Sequence, residues 1–393
     1  MWVLEVLLFA ICVVIALIAA SATSLFLKKQ RRDNDADVEL QQDALSVSTT
    51  KQRKLSFQSS VIESNFAEAT PRIVHIEAFS IDDLKRATGE FSATSHIEGS
   101  VFHGRLNGKD LAVKRLSREA MSRIEFNIFH GPANHHRNII KLLGTCGEPE
   151  QFLVFEYAAN GSLKDWLHGG LAVKNQFIAS SYRFLTWEHR LKICHDVVVS
   201  LQYMHEIMTP SYTHGNLKSR NIFLDEEFNA KIGNFEMGKC LRNESEDKEF
   251  CSTNPASWSH GYLAPEFIRQ PILSPSVDIF AYGVVLLEVL SGETPITMAS
   301  RKGVGYVNLS EKIKMVLVSE KEEALREWMD TTLGDSFSID VAMAVANLAR
   351  DCVSDEPSCR PSAGEIARLL SAFVDEHDLP ESVFSEKSFS NFY

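Results

Sequence analysis

The chain has 393 residues, enough for one large domain or two of ordinary size with tails, and 45% of them are hydrophobic, which suits a folded core. A formal net charge of -12 argues against nucleic acid as the main partner, because phosphate binding needs a basic surface. The 7 cysteines are scattered without a C-x-x-C pair, so they suggest reduced thiols rather than a zinc site or a disulfide framework.

The amino end, WVLEVLLFAICVVIALIAASATSLFL over residues 2–27, is apolar apart from Glu5 and a few small hydroxyls. About 25 residues rising ~1.5 Å each cross a hydrocarbon core of ~30 Å. Lys28, Lys29, Arg31 and Arg32 follow at once. The positive-inside rule places that flank in the cytoplasm, so residues 1–27 are expected to be a single-pass anchor in the plasma membrane with the body behind it cytoplasmic. A secretory signal is the rival reading, with Ala20-Ser21-Ala22 as its cleavage site, but the opening MWVLE lacks a basic n-region. Over 28–78 charges, Gln, Ser and Thr dominate. Such a segment buries too little apolar area to offset its ordering entropy, and a disordered juxtamembrane linker is expected. Its basic runs, KKQRR and Lys51-Gln52-Arg53-Lys54, suit either anionic lipid or plain solvation.

Structure is expected from Phe79. Ser80-Ile81-Asp82-Asp83 reads as a capping box opening a short helix through Thr88. The runs VFHGRL, LAVKRL and FLVFEY have the length and branched content of strands, and Ser117 to Phe129 carries helical spacing. The second half is helical. Thr186 is placed to cap a helix with Leu191, Cys194, Val198, Leu201 and Met204 on one face. Val277 to Leu290 is apolar nearly all round and so should be buried, and Val341–Val353 and Gly364–Val374 complete the set. A strand-rich part (79–158) followed by a larger helical part (159–377) predicts an α+β fold of two lobes, with a flexible tail at 378–393.

Within that frame a series of short motifs runs in order: Ala112-Val113-Lys114, Glu125 in EFNIF, Phe155-Glu156-Tyr157, His214 to Asn221 in THGNLKSRNIFLD, Asn234-Phe235-Glu236, Ala264-Pro265-Glu266, Asp278 with Gly283, and Arg360. Singly each is weak; in this order they resemble the protein kinase fold. Phe79-Ser80, Leu84, Ala87-Thr88 and Phe91 are similar to the opening of plant receptor-like kinases. The clipped loop His96 to Gly104 resembles the inactive branch of the LysM receptor-like kinases, although the sequence contains no LysM ectodomain. The resemblance implies a nucleotide cleft lined by Gly99, Val101, Ala112, Lys114, Glu125, Phe155, Glu156 and Tyr157. It implies a catalytic loop with Asn216, Lys218 and Asn221, a metal site at Asn221 and Asn234, and a frame held by Ala264, Pro265, Glu266, Asp278 and Arg360.

Departures from the family pattern fall on the chemistry. Of the glycine loop G-x-G-x-x-G only Gly99 remains, and its tip, whose N–H groups cover the phosphates, is missing. The base of H-R-D is Asn216, its Arg is Gly215, and the metal-binding Asp of D-F-G is Asn234. These substitutions imply ATP binding that is weak at most, with Lys114 and Glu125 kept either for residual nucleotide binding or only to tie a helix to the sheet; they also imply a weak or absent magnesium site, and a pseudokinase that partners active receptor-like kinases as co-receptor or scaffold. A weakly active Ser/Thr kinase using a substitute base, with Glu236 as a stand-in carboxylate, and a nucleotide-sensing switch remain the alternatives. Ser245, Ser252, Thr253, Ser257 and Ser259 are candidate sites of phosphorylation in trans.

Overall fold

A computed structural model describes residues 76–122, 124, 129, 136–147, 150–169, 184–234, 258–298, 305–318 and 322–375. The expected anchor, nearly all of the linker and the tail lie outside these residues, as do Glu125, Phe235, Glu236, Ser245, Ser252, Thr253 and Ser257. Among the described residues no helix is long and apolar enough to cross a membrane.

The amino-terminal lobe is a six-stranded sheet in the order β1-β5-β6-β4-β3-β2. Its strands are β1 (Glu77–Ala78), β2 (His96–Glu98), β3 (Val101–Leu106), β4 (Lys109–Leu116), β5 (Leu142–Cys146) and β6 (Gln151–Glu156). The strands read from VFHGRL, LAVKRL and FLVFEY are β3, β4 and β6. Order begins earlier than the expected start at Phe79, because Glu77 and Ala78 pair in parallel with Gly144 and Thr145. Two residues are too few to show a period, and the pairing relies on Gly144, where a Cβ would lie 2.3 Å from the Phe79 ring.

The apolar run of β6 is buried on both faces, as a central strand requires. Phe152 and Val154 join a cluster with Leu84, Leu111, Val113 and Cys146. Leu153 and Phe155 face the opposite way and join the main core. Helix α1 (Ile81–Thr88) covers the first face, capped by Ser80, whose side chain accepts from Asp83 N–H. Leu84 on α1 and Phe152 are both 0% exposed, a burial worth roughly 1.5–3 kcal/mol each. Of the helical spacing read over Ser117–Phe129, the structure describes α2 (Arg118–Ser122) and a helical turn at Phe129.

Below lie α3 (Leu163–His168), α4 (Trp187–Gln202), the hairpin β7 (Ile222–Leu224) and β8 (Ala230–Ile232), α5 (Pro265–Arg269) and α6 (Pro275–Ser291). The hairpin β9 (Ile296–Met298) and β10 (Tyr306–Asn308) follows, then α7 (Leu309–Leu317), α8 (Glu322–Trp328), α9 (Ile339–Cys352) and α10 (Ala363–Asp375). Thr186 caps α4 by accepting from His189 N–H. Every residue from Val277 to Ser291 is buried, so the all-round apolar pattern does mark a central helix. Gly283 lets α9 approach it: a Cβ there would lie 2.7 Å from Cys352 Cβ. One continuous core runs from Leu142 and Phe155 of the sheet to α4, α6 and α9.

Arg360 ties the carboxyl-terminal part to α5. Its Nη1 and Nη2 donate to Glu266 Oε1 and Oε2 at 2.6 and 2.8 Å, Nη1 also to Ser276 O at 2.8 Å, and Nε to Ser354 O at 2.9 Å. Burial pushes the Glu266 carboxyl up, but the hydrogen bonds and charge of Arg360 outweigh it and hold its pKa below the ordinary value. The sign follows: a depressed carboxylate contributes its stability in full at neutral pH and loses it as pH falls through the lowered folded value. Glu266→Ala should cost about 3 kcal/mol, the low end for breaking a buried pair because Glu266 is partly exposed. Urea denaturation should show that gap at pH 7 and see it shrink on acidification; a gap independent of pH contradicts the assignment.

Candidate functional site

The loop from Thr213 to Asn221 lies between α4 and β7, and a buried carboxylate sets its path. Asp278, 1% exposed at the start of α6, accepts His214 N–H at 2.7 Å on Oδ2 and Gly215 N–H at 2.8 Å on Oδ1. His205 Nε2 lies 2.8 Å from Oδ2. Gly215 has φ +68°, the left-handed region where a side chain costs roughly 1–2 kcal/mol. The missing Arg of the H-R-D pattern therefore has a backbone correlate that the sequence did not reveal.

The loop's far end rests on a second buried carboxylate. Glu288, 0% exposed, accepts from Ser219 Oγ at 2.9 Å and from Tyr262 OH at 2.6 Å, and its Oε1 is 2.8 Å from His168 Nε2. Sequence reasoning missed this cluster. The available signal was a single charge inside the apolar run FAYGVVLLEVL, since a buried charge needs partners.

Four of the expected site residues meet in one chain of hydrogen bonds. Lys114 Nζ on β4 donates to Asn234 Oδ1 at 2.8 Å. Asn234 Nδ2 donates to Asn221 Oδ1 at 2.9 Å, and Asn221 Nδ2 to the Asn216 carbonyl at 2.7 Å. Asn216 Nδ2 closes the loop on the Asn234 carbonyl at 3.2 Å. Asn234 takes φ +61°, which Asn tolerates better than most side chains. The ion-pair partner expected for Lys114, Glu125, lies outside the described residues.

This donor set carries less charge than the family's magnesium site: Asn221 is the family's residue type, but Asn234 presents a neutral amide oxygen where the family has a carboxylate, and the Oδ1 of each accepts a hydrogen bond. At the base position, the buried Asn216 Oδ1 has no hydrogen-bond partner among the described residues, and an amide takes up no proton near neutral pH. Lys218 Nζ reaches Ser259 Oγ at 3.4 Å. Ser259, one of the candidate phosphorylation sites, is 7% exposed and packs against the loop.

The roof and hinge are short. Glu98 pairs with Val101, which leaves only Gly99 and Ser100 as the turn between β2 and β3, and Gly99 has φ +54°. Val101 faces Lys114 across the sheet, and Ala112 faces Phe155. Glu156 Oε1 accepts Lys141 N–H at 2.9 Å and Lys231 Nζ at 3.1 Å, which fastens the hinge to β8. Tyr157 beside it packs on the His103 ring at 4.6 Å between centroids, and burial pushes its phenol up. Across the mouth of the cleft, Arg220 Nε donates to Glu98 Oε1 at 3.1 Å, and its Nη2 donates to the same oxygen.

Residues 97–369 match the protein kinase domain family. The chain is 41% identical to Protein LYK2 of Arabidopsis thaliana over 93% of this chain and 56% of that protein. It is 33% identical to chitin elicitor receptor kinase 1 of Arabidopsis thaliana, over 75% of this chain and 46% of that protein. It is 33% identical to LysM domain receptor-like kinase 10 of Oryza sativa subsp. japonica, over 77% of this chain and 48% of that protein. The chain thus spans about half the length of the curated relatives it matches. Two lobes meeting at Lys114, Asn221 and Asn234, together with these matches, place the chain in the protein kinase family, among the LysM receptor-like kinases of plants.

Proposed function

We propose that the chain is a membrane-anchored pseudokinase that acts in signalling as a co-receptor or scaffold for active receptor-like kinases. One observation carries this reading: the positions that hold the base and the metal in the family are Asn216 and Asn234, neutral amides bound into one hydrogen-bonded network with Lys114 and Asn221. Phosphoryl transfer depends on positioning and on charge neutralisation, and a positioned base alone contributes ~10²–10⁴ in rate. The retained frame, Asp278 under the loop and Arg360 on Glu266, supports a body whose shape is what its partners meet. Members of the family bind ATP with magnesium; here ATP binds weakly through Lys114 and the hinge, with little contribution from the metal. Residues 2–27 serve as the single-pass anchor in the plasma membrane, and Lys28 to Arg32 hold the body in the cytoplasm.

Radiolabelled phosphate transfer by the purified full-length protein should not exceed that of its Lys114→Ala variant. Transfer that depends on Lys114 would overturn the reading and favour a weak Ser/Thr kinase. In intact cells a tag at the carboxyl end should resist external protease; its digestion would reverse the orientation.

A further inference from the structure

Arg115 follows the cleft lysine Lys114 on β4, and successive side chains of a strand point to opposite faces of the sheet. Arg115 therefore stands on the face away from the cleft, opposite Phe152 of β6. Phe91, which follows α1, stacks on Phe152 with ring centroids 5.0 Å apart, and Phe102 of β3 meets Phe91 edge-on at 5.4 Å. The Arg115 guanidinium lies over these rings, its Cζ 5.1 Å from the Phe91 centroid, 5.6 Å from that of Phe152 and 5.8 Å from that of Phe102. The attraction of a cation to aromatic faces holds the group in place. Its edge stays open to water, since the side chain is 42% exposed.

That edge borders a cavity of about 260 Å³ lined by Arg115, Leu116, Arg118, Glu150 and Gln151. Arg115 Nε is buried without a hydrogen-bond acceptor among the described residues; Glu150 Oε2 lies 3.1 Å away but off the N–H direction. A buried donor costs free energy until an acceptor arrives. The second guanidinium at the cavity, Arg118, is exposed. Such planar groups offer N–H donors in pairs that match the oxygens of a phosphate. We propose that this cavity docks a phosphoserine or phosphothreonine side chain of a partner protein, with the phosphate on Arg115 and Arg118 and an adjoining apolar side chain of the partner on Leu116. The volume is below the ~300 Å³ at which pockets for drug-sized ligands begin, and it suits a single side chain. A phosphate ester carries about −2 at neutral pH, more than the Glu150 carboxylate beside it. Anionic lipid is read by clusters of about 4–8 basic residues. Here the two arginines share the cavity with Glu150, and Glu119 follows Arg118 in sequence, which favours a phosphorylated peptide over a membrane. The choice of partner rests on the reading above, in which the chain works beside active receptor-like kinases, enzymes that produce such groups.

The test uses full-length protein in detergent micelles and, as probe, a short fluorescein-labelled peptide with phosphoserine between two leucines, read by fluorescence polarisation against its serine counterpart. The phosphorylated probe should bind about ten-fold tighter or more, the effect of charge-assisted hydrogen bonds. Arg115→Lys should lose most of that preference, because an ammonium keeps the charge but not the planar donors. Arg118→Ala, a change at an exposed position, should reduce it about three-fold with the melting temperature unchanged. Glu150→Gln should tighten the phosphorylated probe about two- to five-fold by removing a like charge. Equal binding of the two probes, including failure of both to bind, overturns the proposal, and so does a preference that survives Arg115→Lys and Arg118→Ala. Sedimentation with phosphatidylserine vesicles should be the same for wild type and both arginine variants; arginine-dependent vesicle binding without a phosphopeptide preference would assign the cavity to a membrane and overturn it too. All of these outcomes leave the non-catalytic reading standing, which is overturned separately, by Lys114-dependent transfer.

Discussion

The carboxylate of Asp278 is the constraint on which the site depends. A buried charge is costly unless it is hydrogen-bonded, and this one is held by two backbone N–H groups of the loop and by His205. The bargain fixes the loop's path in both directions. Upstream, Tyr212 N–H closes on Met204 O at 2.8 Å; downstream, Gly233 N–H closes on Asn221 O at 3.0 Å and brings Asn234 beside the loop. Asp278 is itself seated by α6, whose burial and close contact with α9 at Gly283 leave it little freedom. The backbone of a phosphotransfer loop is thus assembled by the core, independently of whether the side chains on it can react.

What the side chains present is a lattice of amides around the Lys114 ammonium. In the family pattern a lysine, a metal and two aspartates balance one another's charge. Here Asn234 takes both roles open to an amide, accepting from Lys114 and donating to Asn221, and Asn216 turns its Nδ2 back to the Asn234 carbonyl. Substituting amides for carboxylates removes their charge while preserving shape and hydrogen bonding. Near the mouth, Arg220 meets Glu98.

Much of this was legible in the sequence where a local pattern exists. The strands VFHGRL, LAVKRL and FLVFEY, the Ser80 and Thr186 caps and the apolar helix after Pro275 all follow from alternation, capping chemistry and periodicity. Helices read over 341–353 and 364–374 start two and one residues earlier, at Ile339 and Ala363, because caps and first turns carry little periodic signal. Contacts between distant residues left no local trace. Lys114 and Asn234 are 120 residues apart and Glu98 and Arg220 are 122 apart, and no spacing rule links them. The packing of Ser259 beside Lys218 was hidden as well, because exposure is a property of the fold. The left-handed turn at Gly215 was likewise hidden, since glycine there reads equally as loss of an arginine or as a demand of the backbone.

The central claim is that amides have replaced the metal site while the loop kept its form. Crystals of the protein grown with ATP and Mn²⁺, measured at the manganese absorption edge, test it most directly. The account predicts no anomalous peak within coordination distance of Asn221 Oδ1 or Asn234 Oδ1, with the Lys114–Asn234 hydrogen bond still in place. A manganese ion bound by those two side chains and by phosphate oxygens would contradict it.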